Sequence, residues 1–293
     1  MTLLSSIRGL RQPDGPAAIP VGAELIPGYD VVTLMRRGGR LDTYDVYSRE
    51  RDCRCVVKVV RPDRADDEHC RAALVREGQL LRGLAHPHLV RVYEVVEERR
   101  PAVVMETLTG ATLAALIDES PLNPFDTALL GRQLASALGY LHTHDWLHLD
   151  VKPSNVVVQA GRAILIDLSL AASPGDGRPH AGTDGYLSPE QVIGRDLSPA
   201  SDVFGLGITL GEALTGDLPY GEESRWVRGT APRRATRHFR RRLATAPAPL
   251  ATLIDACIDP NPARRPWLHE VRAALDIVLE TVATADLTPS ARR

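Results

Sequence analysis

The pattern of apolar residues changes once along this chain, at Gly110, and that change narrows the fold more than any other feature. Before it, runs of β-branched and aromatic residues predict strands at Tyr29–Leu34, Thr43–Tyr47, Cys55–Val60, Leu89–Val96 and Ala102–Glu106. One helical stretch interrupts them, Asp66–Leu84, where Leu74, Leu80, Leu81 and Leu84 recur near the helical period. After Gly110 helices dominate. Asn123-Pro124 reads as an N-cap followed by proline at the first helical position. The helix it opens carries Leu130, Leu134, Leu138 and Leu141 on one stripe. Ser201–Leu214 predicts an almost wholly apolar and therefore buried helix, and Pro266–Val282 a final one. Val156–Val158 and Ala163–Ile166 predict two short strands around a turn at Gly161. Residues 1 to about 25 are weakly patterned and predict a loose extension, and 283–293 a frayed tail.

Composition excludes several classes. A formal net charge of −2 over 293 residues argues against a general binder of nucleic acid or anionic membrane. No apolar run approaches the about 18 residues that a membrane helix needs. The start, MTLLSSIRGLRQPDGPAAIP, has no continuous apolar core or clear cleavage site, so no signal peptide is expected. Cys53, Cys55, Cys70 and Cys257 lack metal-ligand spacing and read as reduced thiols of a cytoplasmic protein. His142, His144 and His180 form no metal-like set and read as surface or packing residues. The arginine-rich stretch Arg225–Arg242 has two readings: a docking surface for an acidic or phosphorylated partner, or, more simply, a solvated loop and helix.

The chemistry is concentrated in His148-Leu149-Asp150-Val151-Lys152-Pro153-Ser154-Asn155, followed by strand, turn, strand and then Asp167-Leu168-Ser169. Phosphoryl transfer from ATP needs one carboxylate to orient the attacking hydroxyl and accept its proton. It also needs oxygen ligands for magnesium and a cation near the transferring group. Asp150 suits the first role, Asn155 and Asp167 the second, and Lys152 the third. A hairpin joining Asn155 to Asp167 would bring two hard oxygen ligands together, enough for Mg2+ when nucleotide and water complete its shell. Each of these residues alone would be an ordinary turn, cap or solvated charge; their order and spacing give them meaning.

This constellation resembles the catalytic loop of the eukaryotic-type serine/threonine protein kinases, of the kind also found in bacteria. The resemblance covers roughly residues 29 to 282. Lysine two residues past the aspartate is the serine/threonine variant of that loop. Other landmarks follow in order. Val56-Val57-Lys58 is similar to the strand whose lysine grips the α- and β-phosphates, and Glu77 stands where the family's helix supplies its partner. Val104-Met105-Glu106-Thr107-Leu108 resembles the linker that hydrogen-bonds adenine, with Met105 as gatekeeper and Glu106 and Leu108 beside the base. Gly182–Glu190 resembles the end of the activation segment. Asp202 resembles the buried aspartate that braces the catalytic loop, and Arg265 the arginine that pairs with the glutamate, here Glu190.

The resemblance implies an α+β, bilobal fold: a five-stranded antiparallel N-lobe with one helix over 29–107 and a mainly helical C-lobe over 108–282, after an extension at 1–28 and before a tail at 283–293. It also implies ATP and Mg2+, and a protein substrate that the sequence leaves unnamed. Of the 35 basic side chains only Lys58 and Lys152 are lysine, and they fall where the family contacts phosphate. A compact ammonium is not replaced there by a planar guanidinium, which favours working chemistry.

Departures are specific. The glycine-rich loop aligns with Arg36-Arg37-Gly38-Gly39-Arg40-Leu41 and keeps only its middle glycine, Gly38. That leaves either Arg36 or Arg40 contacting phosphate, or a loop set farther from it. Leu149 replaces the arginine that receives an activation-loop phosphate, so activity independent of such phosphorylation is expected. The rival readings are a pseudokinase that binds nucleotide as a scaffold, favoured by the altered loop, and a small-molecule phosphotransferase. Lys152 and Gly182–Glu190 speak against the latter.

Overall fold

Along Cys53–Val60 the side chains of Cys55, Val57 and Val59 are buried, while Val56 and Lys58 between them are less so, the alternation a strand imposes. This strand is β4 in a computed structural model that describes residues 16–98, 100–221 and 235–286. The chain forms two compact units. One runs to Gly83 and includes Arg91–Thr107; the other comprises Leu84–Val90 and the chain from Leu108 onward.

In the first unit β1 (Glu24–Ile26), β2 (Tyr29–Arg37), β3 (Leu41–Ser48), β4, β5 (Val92–Val96) and β6 (Ala102–Glu106) form one six-stranded sheet. Its order is β1-β2-β3-β4-β6-β5, with every neighbouring pair antiparallel. Tyr29, Val31, Tyr44, Val46, Val57 and Val104 lie in its core. The single helix, α1 (Glu68–Arg82), starts where the Asp67 carboxylate accepts from the His69 and Cys70 amides, both at 3.1 Å. Its buried face carries Leu74, Glu77, Gly78 and Leu81, the spacing of one helical stripe. A Cβ at position 78 would lie 2.5 Å from a Val103 methyl, so glycine lets α1 lie close on β6 and brings Glu77 down with it.

Five strands were expected here, and the sixth is β1. Glu24–Ile26 is too short to carry a period; it joins the sheet by pairing with β2, which buries Leu25 and Ile26. β1 thus overlaps only the end of the stretch, to about residue 25, expected to be loose. The strand expected at Leu89–Val96 is shorter, starting at Val92. Leu89 and Val90 instead meet Leu165 within the second unit, Leu89 as a parallel bridge and Val90 through its amide at 2.9 Å.

In the second unit β7 (Ala111–Thr112), β8 (Val156–Gln159) and β9 (Arg162–Leu165) form a small antiparallel sheet. Its helices are α2 (Leu113–Glu119), α3 (Pro124–Thr143), α4 (Pro189–Ile193), α5 (Pro199–Thr215), α6 (Arg237–Leu243), α7 (Ala248–Cys257) and α8 (Leu268–Asp286). Asn123 caps α3 as expected, accepting from the Asp126 amide at 2.8 Å, and the Leu130, Leu134, Leu138 and Leu141 stripe is buried. α5 is buried along almost its whole length, so the polar side chains it carries, Ser201, Asp202 and Thr209, sit inside the unit. α2, α4 and α7 were not anticipated; α6 falls in the arginine-rich stretch, one reading of which was a solvated loop and helix. α8 runs past the expected end at Val282.

Residues 1–15 of the extension, 225–234 of the arginine-rich stretch and 287–293 of the tail lie outside the described residues; Arg237–Arg242 belong to α6. Among the described residues no helix is long and apolar enough to cross a membrane. All four cysteines are free, and only Cys53 is exposed.

Candidate active site

After α3 the chain enters the segment His148–Asn155, and α5 sets its shape. The Asp202 carboxylate accepts from the amides of His148 at 2.8 Å and Leu149 at 2.7 Å and from His142 Nε2 at 2.8 Å. Burial alone would raise this carboxyl. The His142 and backbone contacts outweigh burial and hold it below the usual carboxylate range. Leu149 has φ 63°, a left-handed conformation that costs a branched residue energy and persists only where the surroundings over-determine it. Its side chain is buried against Leu147, Leu197 and Ala172. His142, expected to be a surface or packing residue, is thus a partner of this brace. Nothing near it in sequence marks the role, because Asp202 lies 60 residues away.

Asp150 stands in a ring of donors. Its Oδ2 accepts from Lys152 Nζ at 2.7 Å and Asn155 Nδ2 at 2.8 Å, and its Oδ1 from Thr183 Oγ1 at 2.7 Å. Lys152 also donates to Thr183. Asn155 Nδ2 reaches the Asp150 carbonyl oxygen as well, at 3.0 Å. Asp150, Lys152 and Asn155 are therefore brought together as the spacing suggested. Thr183 lies within Gly182–Glu190, and nothing in the sequence marks its bond to Asp150.

The β8–β9 hairpin returns the chain to Asn155: the Ile166 amide donates to the Asn155 carbonyl at 3.1 Å, and Asp167 follows directly. Asp167 Oδ1 accepts from the Ser169 amide at 2.9 Å. Because Asn155 Nδ2 is turned to Asp150, the side-chain oxygen is the atom left to bind a cation. Among the described residues no group of three His, Cys, Asp or Glu could enclose a metal. Two hard oxygens, one from Asn155 and one from Asp167, fit Mg2+, which keeps water and phosphate ligands. They would suit a softer metal poorly.

In the first unit Lys58 Nζ and Glu77 Oε1 are 2.7 Å apart, with side chains 12% and 2% exposed, so this is a largely buried ion pair. β4 alternation carries Lys58 out of the sheet core and α1 lowers Glu77 onto it. Gly38 lies in a tight turn between β2 and β3. Its amide donates to the Leu41 carbonyl at 2.8 Å, and a Cβ would stand 2.9 Å from that oxygen. Two arginines brace the turn. Arg61 donates to the Gly38 carbonyl at 3.0 Å, and Arg37 pairs bidentately with buried Asp42 at 3.1 and 3.0 Å. Arg36 and Arg40 are exposed beside it. Met105 is buried opposite Val56, and the Glu106 amide donates to the Arg91 carbonyl at 3.0 Å. Leu108 begins the longer segment of the second unit.

Arg265 grips Glu190 through two bonds, at 2.6 and 3.0 Å, and also donates to the carbonyls of Ala200 and Asp259, both at 2.8 Å. Burial raises the Glu190 carboxyl, but the Arg265 bonds more than offset this and leave it below its ordinary range. Tyr186 donates to Glu212 on α5 at 2.6 Å.

Three histidines of this unit are held neutral. Burial lowers the pKa of His148, His86 and His88. His148 Nδ1 accepts from the Asp150 amide at 3.2 Å, so the proton sits on Nε2, which is buried and has no hydrogen-bond partner among the described residues. Each folded pKa lies below the unfolded value of about 6.5, so the unfolded chain binds more protons as pH falls. Their contribution is complete above about pH 6.5 and is lost as pH drops through the folded values. The unfolding free energy, measured by denaturant titration, is therefore expected to decline from pH 7 to 5, the three histidines together outweighing Glu212, whose carboxyl burial raises and which acts in the opposite sense. A flat profile over that interval would contradict it.

Comparison with known proteins places the chain in a family. Residues 29–274 match the protein kinase domain family, and the chain belongs to that family. It is 37% identical over 240 residues to the serine/threonine-protein kinase PkaA of Streptomyces coelicolor, a match covering 77% of this chain and 43% of the relative. It is 32% identical over 216 residues to the serine/threonine-protein kinase PknD of Mycobacterium tuberculosis, covering 71% of this chain and 32% of the relative. The chain thus spans less than half the length of these relatives. In fold it is similar to the kinase domain of Mycobacterium tuberculosis PknI, with a TM-score of 0.69 at 23% identity, over 89% of this chain and all of that one.

Proposed function

We propose that the protein is a serine/threonine protein kinase that transfers the γ-phosphate of Mg-ATP to protein hydroxyls. The observation that carries this reading is the Asp150 carboxylate held by Lys152, Asn155 and Thr183. In this mechanism the acceptor hydroxyl donates its proton to Asp150 as its oxygen bonds to the γ-phosphorus and the bond to the ADP oxygen breaks. Lys152 neutralises charge on the transferring phosphoryl group. Lys58, set by Glu77, binds the α- and β-phosphates, and Gly38 lets the hairpin backbone approach them. Asn155 and Asp167 would hold Mg2+, whose charge offsets that of the phosphates. Met105, Glu106 and Leu108 line the adenine site.

On this assignment 29–107 is the N-lobe and 108–282 the C-lobe, with 1–28 and 283–293 as flanking segments. The reaction is assigned to the cytoplasm, where ATP is abundant and free thiols stay reduced. The protein substrate is unidentified. With Leu149 in place of a phosphate-receiving arginine, activity does not require a phosphorylated activation segment, and phosphatase-treated protein should keep most of its rate.

The test is transfer of labelled γ-phosphate from Mg-ATP by the purified protein, to itself and to a generic basic protein, with and without a chelator. Metal-dependent label on serine or threonine is the expected result. Nucleotide binding without transfer would mean a pseudokinase, and label on sugars or antibiotics alone a small-molecule phosphotransferase.

A further inference from the structure

Leu149 is strained, lies next to Asp150, and is held by polar groups on both sides of its Cα. Asp202 takes its amide, as described above. Its carbonyl is held from elsewhere: Gln191 Nε2, on α4, donates to it at 2.8 Å. The same nitrogen donates to the carbonyl of Ala181 at 3.2 Å. Gln191 Oε1 accepts from the amide and hydroxyl of Ser188, both at 3.1 Å, and the Gln191 backbone carbonyl accepts from the His180 amide at 3.0 Å. The side chain is 4% exposed, and every donor and acceptor of its amide is used.

This amide joins two stretches that meet again at the carboxylate. Leu149 immediately precedes Asp150, and Ala181 lies two residues before Thr183, which donates to Asp150. The geometry points to Gln191 as a positioning residue for Asp150: one neutral amide fixes both the peptide preceding the base and the loop segment that carries its threonine partner. The assignment rests on Asp150 being the base. The tie runs through carbonyl oxygens and needs no phosphate. The apolar packing of Leu149 on Leu147, Leu197 and Ala172 supports it from the other side.

Gln191→Glu tests the tie directly. A carboxylate still accepts from Ser188 and keeps the α4 cap, but it cannot donate to either carbonyl. Gln191→Met is a second variant, of similar volume and without a buried charge. In phosphatase-treated full-length protein, kcat is expected to fall by about 10–100-fold in both, the scale of a misplaced reacting group. KM for Mg-ATP should stay within about twofold, because the nucleotide contacts are untouched. Backbone amides of 181–186 should exchange with solvent faster, and those of α5 at the wild-type rate. Wild-type kcat in either folded variant would overturn the proposal. So would a lower melting temperature with kcat intact at low temperature, which would mark a purely structural role. If the wild type itself transfers no phosphate, the kinase reading fails, and the exchange rates of 181–186 still decide whether Gln191 holds that segment.

Discussion

Replacing Asp150 by asparagine is expected to leave the protein folded and to slow phosphoryl transfer by about 10²–10⁴-fold, the usual contribution of a positioned base. The fold survives because the amide can still meet its neighbours. The carboxylate accepts from Lys152 and Asn155 on one oxygen and from Thr183 on the other. In asparagine the amide oxygen can keep Lys152 and Asn155, and the new NH2 can donate to Thr183, whose hydroxyl accepts as readily as it donates. What is lost is a group able to take a proton at neutral pH. Single-turnover rates at saturating Mg-ATP, with nucleotide affinity and thermal melting measured alongside, check the expectation. A rate within about tenfold of wild type would remove Asp150 from the role of base.

Glu190→Ala is expected to produce the largest loss of stability, roughly 3–5 kcal/mol, because it strips the anion from a buried cation. The Arg265 side chain is 0% exposed. Its other contacts, the carbonyls of Ala200, Asp259 and Pro260 and the face of Phe204 at 4.8 Å, are dipoles and a quadrupole that do not neutralise its charge. Replacing both partners, Glu190→Ala with Arg265→Met, should cost less than Glu190→Ala alone, since no charge is then left unpaired in the interior. Denaturant unfolding of the two variants decides the order, and a double replacement that costs more than the single one would refute it. The pair also has a sign in pH. Glu190's carboxyl is held low, so its contribution is present above the ordinary glutamate range near about 4.3 and fades as pH falls through the folded value.

Asp150, Lys152, Asn155 and Asp167 stood out as candidates by their order and spacing, whereas Lys58 and Glu77 stood out only through the resemblance to the kinase family; the structure joins Asp150 to Lys152 and Asn155, and Lys58 to Glu77. Glu77 falls on the stripe that buries Leu74 and Leu81, and Lys58 on the outward phase of β4. Thr183, Gln191 and His142 were not legible as partners of the site. Their bonds reach across 33, 42 and 60 residues, and a threonine, glutamine or histidine in isolation has no preferred partner at such range. β1 escaped for a related reason: three residues cannot display alternation, and only the neighbouring strand gives them their hydrogen bonds. In the altered glycine loop, Arg37 and Arg61 hold the turn, which depends on Asp42 being buried and on Arg61 lying across the Gly38 carbonyl, and neither is visible in local spacing.

The sequence by itself determined the periods, the caps and the spacing of the catalytic loop, since these depend on interactions within a few residues, where side-chain type and backbone geometry suffice. Tertiary structure alone decided which hydroxyl, amide and imidazole would surround Asp150 and hold Leu149 in its strained conformation. Those partners are selected by the burial of α5 and by the docking of 168–191 against it. A hydrogen bond between groups so far apart along the chain forms only after packing has brought them together, and packing is settled by the whole core at once.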